Sequence, residues 1–196
     1  MVPRRTCHPA GQCDHPRAVT TPEIVSLRAW TDDDLPLLRG LLADPAMMTY
    51  LGGPETEEKL LSRHQRYLDI DGTGTGRVFV ITAGPERIAA GWVGYWESSW
   101  HGETTWETGW SVLPAFQGRG LATRGAALAL QAAAAERRHR FIYAFPAVAN
   151  GPSNAVCARL GFERLGSESL EYPPGTWMEC AVWRRALAEK GDAARR

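Results

Sequence analysis

The chain has 196 residues, enough for one well-buried domain and too few for two of ordinary size. Lys plus Arg and Asp plus Glu each number 22, so the net charge is zero and no global field recruits nucleic acid or an anionic membrane. No apolar run reaches the roughly 18 residues of a membrane span, and the amino terminus lacks a signal peptide's apolar stretch, so a cytoplasmic protein is expected.

Residues 1–21 read as a flexible tail. Cys7, His8, Cys13 and His15 are zinc-ligand types, but Cys-His-x4-Cys-x-His fits neither Cys-x2-Cys pairs nor a His-x3-5-His pair. Pro3, Pro9, Pro16 and Pro22 punctuate this stretch, which has no apolar period, so a metal clip is the weaker reading. The two remaining cysteines, Cys157 and Cys180, make no disulfide framework, and reduced thiols are expected.

Ile24, Val25 and Leu27 predict a first strand. Thr31-Asp-Asp-Asp34 then offers a hydroxyl and carboxylates for a capped helix start, with Leu35, Leu38, Leu41 and Leu42 on one face. After the break at Gly52-Gly53-Pro54, Leu60, Leu61, His64, Tyr67 and Leu68 recur at helical spacing in a second helix ending near Asp69, with His64 at its edge. Asp71 to Arg77 is a glycine and threonine turn. Val78–Ala83, Ile88–Glu97 and Thr104–Val112 predict three consecutive strands in an antiparallel meander. Trp92, Trp96, Trp100, Trp106 and Trp110 all fall within it, and core packing is the plainer account of them.

The segment Pro114-Ala-Phe-Gln-Gly-Arg-Gly-Leu-Ala-Thr123 joins the last of these strands to an Ala/Leu helix running from about Gly120 to Arg138. Gly118 and Gly120 lack Cβ atoms where the backbone must turn tightly, so successive amide N–H groups can point into one concavity at the positive end of the helix. Such a concavity binds a diphosphate, although a glycine-rich connector of no chemical consequence has the same local appearance. The helix carries Leu121, Gly125, Leu128, Ala132 and Ala135 on one stripe, and Arg137, Arg138 and Arg140 complement its negative end. Phe141–Phe145 predicts a strand, Pro152–Leu160 a short helix closed by Gly161, and Glu163–Tyr172 and Thr176–Arg185 two final strands. Residues 186–196 read as a tail.

Two motifs in this order carry a family resemblance. Gln117-x-x-Gly120-x-Ala122 directly follows the strand ending in Val112, Leu113 and Pro114. Downstream of an apolar strand come Asn150, Ser153, then Leu160-Gly161-Phe162. Both resemble motifs of the Gcn5-related N-acetyltransferases (GNAT), and the resemblance covers residues 22–185. It implies one α/β (α+β) domain, whose central, mostly antiparallel mixed sheet has about seven strands, flanking helices and a splay between strands 4 and 5. Leu51-Gly-Gly-Pro54, Glu107-Thr-Gly-Trp110 and Asn150-x-x-Ser153 are most similar to the branch that acetylates ribosomal-protein amino termini, which also contains small-molecule enzymes.

The resemblance assigns roles. Acetyl-CoA would be the acyl-donor cosubstrate, with no metal required. Gln117, Gly118, Arg119, Gly120, Leu121, Ala122 and Thr123 would cradle its diphosphate, and Trp110, Ser111 and Val112 would pair with pantetheine and stabilise an oxyanion. Asn150 would hydrogen-bond pantetheine and Ser153 would protonate the leaving thiolate, although turn and cap chemistry also accounts for both. Many relatives carry a tyrosine acid where this chain has Cys157, a poor proton donor to another thiolate and better read as a small buried residue. Glu107 or Glu171 would serve as the base, an exposed structural carboxylate being the plainer account of each. The partners implied are acetyl-CoA and an amine acceptor, either a protein amino terminus or a small amine such as a polyamine or antibiotic, with no nucleic acid or membrane, in a monomer or homodimer. Trp96 and Trp100 would line the acceptor mouth, made acidic by Glu97, Glu103 and Glu107. The absent tyrosine leaves a non-catalytic acyl-CoA sensor as the reading from another class.

Overall fold

A computed structural model describes residues 23–171 and 175–187. Cys7, His8, Cys13 and His15 lie outside them, as do residues 188–196. The first strand, β1 (Val25–Ala29), leads to the capped start expected at Thr31–Asp34. There the Asp34 carboxylate accepts the Thr31 N–H at 2.8 Å and the Arg28 guanidinium at 2.6 and 2.7 Å, stabilising a 3₁₀ turn, Asp32–Asp34. Helix α1 (Leu35–Leu42) follows and buries Leu37, Leu38, Leu41 and Leu42. Leu37 takes the inward place expected for Leu35, because the tighter 3₁₀ lead-in alters the phase at which the helix meets the core.

Helix α2 (Glu57–Ile70) begins at Thr56, whose hydroxyl accepts the Lys59 N–H at 3.4 Å. It buries Leu60, His64 and Tyr67, while Leu61 faces solvent. His64 is therefore no edge residue. Its Nδ1 accepts the Trp30 indole N–H at 3.1 Å, which satisfies both polar groups inside the core.

The expected meander forms from β2 (Gly76–Ala83), β3 (Ile88–Trp100) and β4 (Glu103–Val112), all antiparallel. Alternation along β2 splits its side chains between two cores. Val78 and Val80 join Trp92 beneath α1 and α2, whereas Phe79 and Ile81 join Val93 and Tyr95 beneath helix α3 (Leu121–Glu136). Cover on both faces explains why β2 reads as a nearly continuous apolar run. The buried stripe of α3 is Leu121, Gly125, Ala126, Ala129, Leu130 and Ala133. Leu128 and Ala132 are only half-buried and Ala135 is exposed, so the stripe is rotated from the one expected. Alanine is small enough to sit on either side, so an alanine-rich helix carries little periodic contrast to fix its inward face.

The chain finishes with β5 (Phe141–Ala144), α4 (Gly151–Arg159), β6 (Glu163–Glu171) and β7 (Trp177–Ala186). The seven strands order as β1-β2-β3-β4-β5-β7-β6, and β4–β5 is the single parallel pair, as its crossover through α3 requires. Ala186 still pairs with Phe141, and Leu187 is buried in the core under α3.

Candidate active site

β4 and β5 pair at only two positions, Trp106 with Ile142 and Glu107 with Tyr143. From Thr108 to Val112 β4 runs on without β5, because the chain beyond Ala144 leans toward β7. Ala147 bridges Cys180, the Val148 N–H donates to the Glu179 carbonyl at 2.9 Å, and the Ala181 N–H donates to the Pro146 carbonyl at 2.9 Å. The sheet is thus splayed between its fourth and fifth strands. A cavity of about 970 Å³ fills the opening, and Glu107, Trp110, Asn150, Ser153 and Glu171, widely separated in sequence, all line it.

Beyond Val112 a 3₁₀ turn, Pro114–Phe116, delivers the chain to the glycine-rich loop. Gly118 and Gly120 adopt φ of 73° and 74°. A Cβ on Gly118 would meet nothing within 4 Å, so backbone conformation and not lack of space selects glycine there. The first amide in α3 to meet a carbonyl is that of Arg124, 3.1 Å from Gly120 O. The N–H groups from Gly118 to Thr123 therefore have no backbone acceptor among the described residues, at the positive end of a helix of sixteen residues. Free amides in this arrangement are suited to an anion, with no side-chain cation needed.

The loop's side chains are engaged by the protein itself. Gln117 Nε2 donates to the Val112 carbonyl at 3.0 Å. Arg119 lies 5.0 Å over the Phe116 ring and donates from Nε to the Glu23 carboxylate at 3.0 Å, so its charge is met by a carboxylate and not left bare. Leu121 is buried and pins the helix start, Ala122 packs against the core under α3, and Thr123 is half-buried. Arg124, which the sequence reading passed over, braces the turn. Its guanidinium donates to the carbonyls of Arg119 at 2.7 Å, Gly120 at 3.4 Å and Glu23, drawing carbonyl oxygens to itself and leaving the amides clear.

Across the splay, Asn150 is the N-cap of α4, and its Oδ1 accepts the Ser153 N–H at 3.1 Å. The cap uses one oxygen of Asn150 and the backbone of Ser153, and both residues line the cavity. Asn154, also missed in the sequence, fixes this turn by donating to the carbonyls of Ala147 and Asn150 at 2.9 and 2.8 Å and accepting the Trp183 indole N–H at 2.8 Å. Cys157 faces the core instead of the cavity, and burial pushes its thiol up to about 12. It is a packing residue.

The carboxylates divide by environment. Glu107 stands directly opposite Trp96 in the β3–β4 register and lines the cavity. Burial raises its carboxyl above the ordinary value of 4.5, and hydrogen bonds from Ser98 and Trp96 return only part of the shift. Glu171 is exposed at the cavity edge, where it accepts the Gly175 N–H at 2.7 Å. The acidic mouth expected from Glu97, Glu103 and Glu107 does not form. The Glu97 carboxylate is held by His139 and by Arg138, each at 2.9 Å, which lowers its pKa, and Glu103 borders a separate cleft of about 80 Å³. Of the five meander tryptophans, Trp106 and Trp92 are core, and Trp92, with Trp96, Trp100 and Trp110, also lines the large cavity.

Residues 25–163 match the family model of the acetyltransferase (GNAT) domain. Among solved structures, spermidine N-acetyltransferase from Vibrio cholerae, in complex with CoA and spermine, is similar over 83% of this chain and 95% of that one, with a TM-score of 0.68 and 20% identity. An acetyl transferase from Salmonella typhimurium that modifies the N-terminal serine of ribosomal protein L7/L12 covers 84% and 95%, with a TM-score of 0.66 and 21% identity. Ribosomal-protein-S5-alanine acetyltransferase from Vibrio fischeri covers 86% and 95%, with a TM-score of 0.69 and 17% identity. Among the described residues no helix is long and apolar enough to cross a membrane.

Proposed function

The chain belongs to the GNAT acetyltransferase family and is an N-acetyltransferase, and from that premise we propose that it acetylates the α-amine of protein amino termini in the cytoplasm, by direct attack on acetyl-CoA in a ternary complex. The observation that carries this reading is the meeting, in one cavity, of a half-buried carboxylate whose pKa desolvation raises, with no ion pair to it among the described residues, and a serine at the start of α4 across the splay. Acetyl-CoA supplies the activated thioester. The amides from Gly118 to Thr123 hold its diphosphate, with Gln117 and Arg119 shaping the loop by their own contacts to Val112 and Glu23. Trp110, Ser111 and Val112, freed from β5, offer main-chain groups to the pantetheine amides and to the charge developing on the thioester oxygen. Asn150 adds a side-chain amide.

Glu107, raised by burial, takes the proton of the incoming ammonium, with Glu171 at the edge as the second candidate for that role. Ser153 returns a proton to the departing thiolate. Magnitudes favour an α-amine, because freeing a group of pKa near 7.8 at pH 7 costs about 1 kcal/mol, whereas a lysine amine near 10.4 costs nearly 5. One carboxylate suffices for the first. The test is to incubate the full chain with acetyl-CoA, a thiol reagent and pooled peptides and small amines. Acetylated peptide amino termini with matching CoA release support the proposal. Acetylated polyamine alone would replace the acceptor, and donor binding without CoA release would leave only a sensor.

A further inference from the structure

On the cavity-facing side of the β3–β4 pair, Glu107 has Ser98 to one side of it and an aromatic surface to the other. Trp96 stands directly across from it, Gly109 is the next residue of β4 on that side, and Trp92 lies one step further along β3. The two indoles lie 6.5 Å apart at a tilt of 40°, and the Tyr67 ring extends the surface 5.4 Å beyond Trp92. Gly109 keeps this surface open. A Cβ there would stand 3.1 Å from Trp96 Cη2 and 3.4 Å from Trp92 Cη2, forcing the indoles to give way. Its φ is not in the left-handed region, so space and not conformation requires the glycine. The Ser98 and Trp96 side chains both hydrogen-bond Glu107, so their polar groups are engaged by the carboxylate and the ring faces remain for the acceptor. Beyond it, the Glu97 carboxylate is already met by Arg138 and His139.

Resting on the amino-terminal reading above, we infer that the acceptor carries a flat or branched apolar group next to its amine, which packs on Trp96 and Trp92 in the gap that Gly109 maintains. The amine is drawn along the aromatic faces to Glu107 while still protonated, as cations are attracted to such rings. The selected amino termini are then those whose first residue is aromatic or large and apolar.

The test is a competition between a Phe-first and a Gly-first peptide of otherwise identical sequence, at saturating acetyl-CoA, with phenethylamine as a third acceptor. A ring contact of this kind is expected to favour the Phe-first peptide by roughly twofold to tenfold in kcat/KM. Gly109→Ala is expected to bring that ratio toward one, with acetyl-CoA affinity measured alongside to separate acceptor from donor effects. If that variant does not fold, Trp96→Leu reads the same contact through the same ratio. Equal use of the two peptides, or a ratio unchanged in the variants, overturns the inference while leaving amino-terminal acetylation intact. Acetylation of phenethylamine with rejection of both peptides supports the pocket assignment and overturns the amino-terminal reading.

Discussion

Replacing Glu107 with Gln removes a charge from the cavity while preserving the side chain's size and one oxygen that can accept from Ser98 or Trp96. Two consequences of opposite sense follow. As a general base Glu107 is expected to contribute about 10²-fold to kcat/KM at pH 7, the lower end for such groups. About sevenfold of that reflects working only with the fraction of α-amine that is already neutral, from a pKa near 7.8, and this part is recovered by pH 9. Stability moves the other way. Burial raises the folded carboxyl above its unfolded value of 4.5, so the wild-type fold is most favoured with the carboxyl protonated and loses stability as pH rises through the raised pKa. Glu107→Gln is therefore expected to be the more stable protein at neutral pH, with the difference vanishing below about pH 4. Urea unfolding across pH and initial rates of CoA release read the two effects independently. A variant with unchanged rates and pH profile, or one less stable than wild type at pH 7, would refute the assignment of a desolvated, catalytically used carboxylate.

Four further outcomes are expected. Arg124→Met removes the guanidinium that braces the carbonyls of Arg119, Gly120 and Glu23 and should weaken acetyl-CoA binding about tenfold, equivalent to about 1.4 kcal/mol, with kcat at saturating donor retained; calorimetry and the KM-against-kcat split check it. Gly120→Ala places a side chain at φ of 74°, and should lower stability by about 1–2 kcal/mol and weaken donor affinity, both measurable on one preparation. Ser153→Ala should lower kcat by roughly 10²-fold while leaving acetyl-CoA affinity unchanged, since the Asn150 cap uses the Ser153 backbone and not its hydroxyl. Asp34→Asn should destabilise the fold by about 2 kcal/mol. Although burial pushes Asp34 upward, hydrogen bonds from Arg28 and Thr31 outweigh it and leave the carboxyl below 3.8, so this contribution is present above the unfolded pKa and fades as pH falls through the folded one.

The glycine-rich turn before α3 was legible because it is local. Gly118 and Gly120 need a left-handed backbone, and strand, turn and helix are all written within a dozen residues. The meander was legible for the same reason, its strands being separated by short polar turns. What escaped depends on distant partners. The compensation of Glu97 requires Arg138 and His139, supplied from beyond the far end of α3, and no spacing rule in β3 announces it. The inward position of His64 depends on an indole from the other side of α1. The splay followed from the family likeness alone, since it is set by Ala147 choosing Cys180 over β4. Gly109 stood in the sequence only as part of the Glu107-Thr-Gly-Trp110 likeness, and only the packed indoles reveal why a methyl group is excluded there.

Titrating the full-length chain with acetyl-CoA in a calorimeter, and repeating the titration with Gly120→Ala, tests the account at its root. The account predicts saturable binding of one donor per chain that is weakened in the variant. Folded protein that takes up no acetyl-CoA, or a variant that binds it as tightly as wild type, would contradict the claim that main-chain amides at the start of α3 grip the donor.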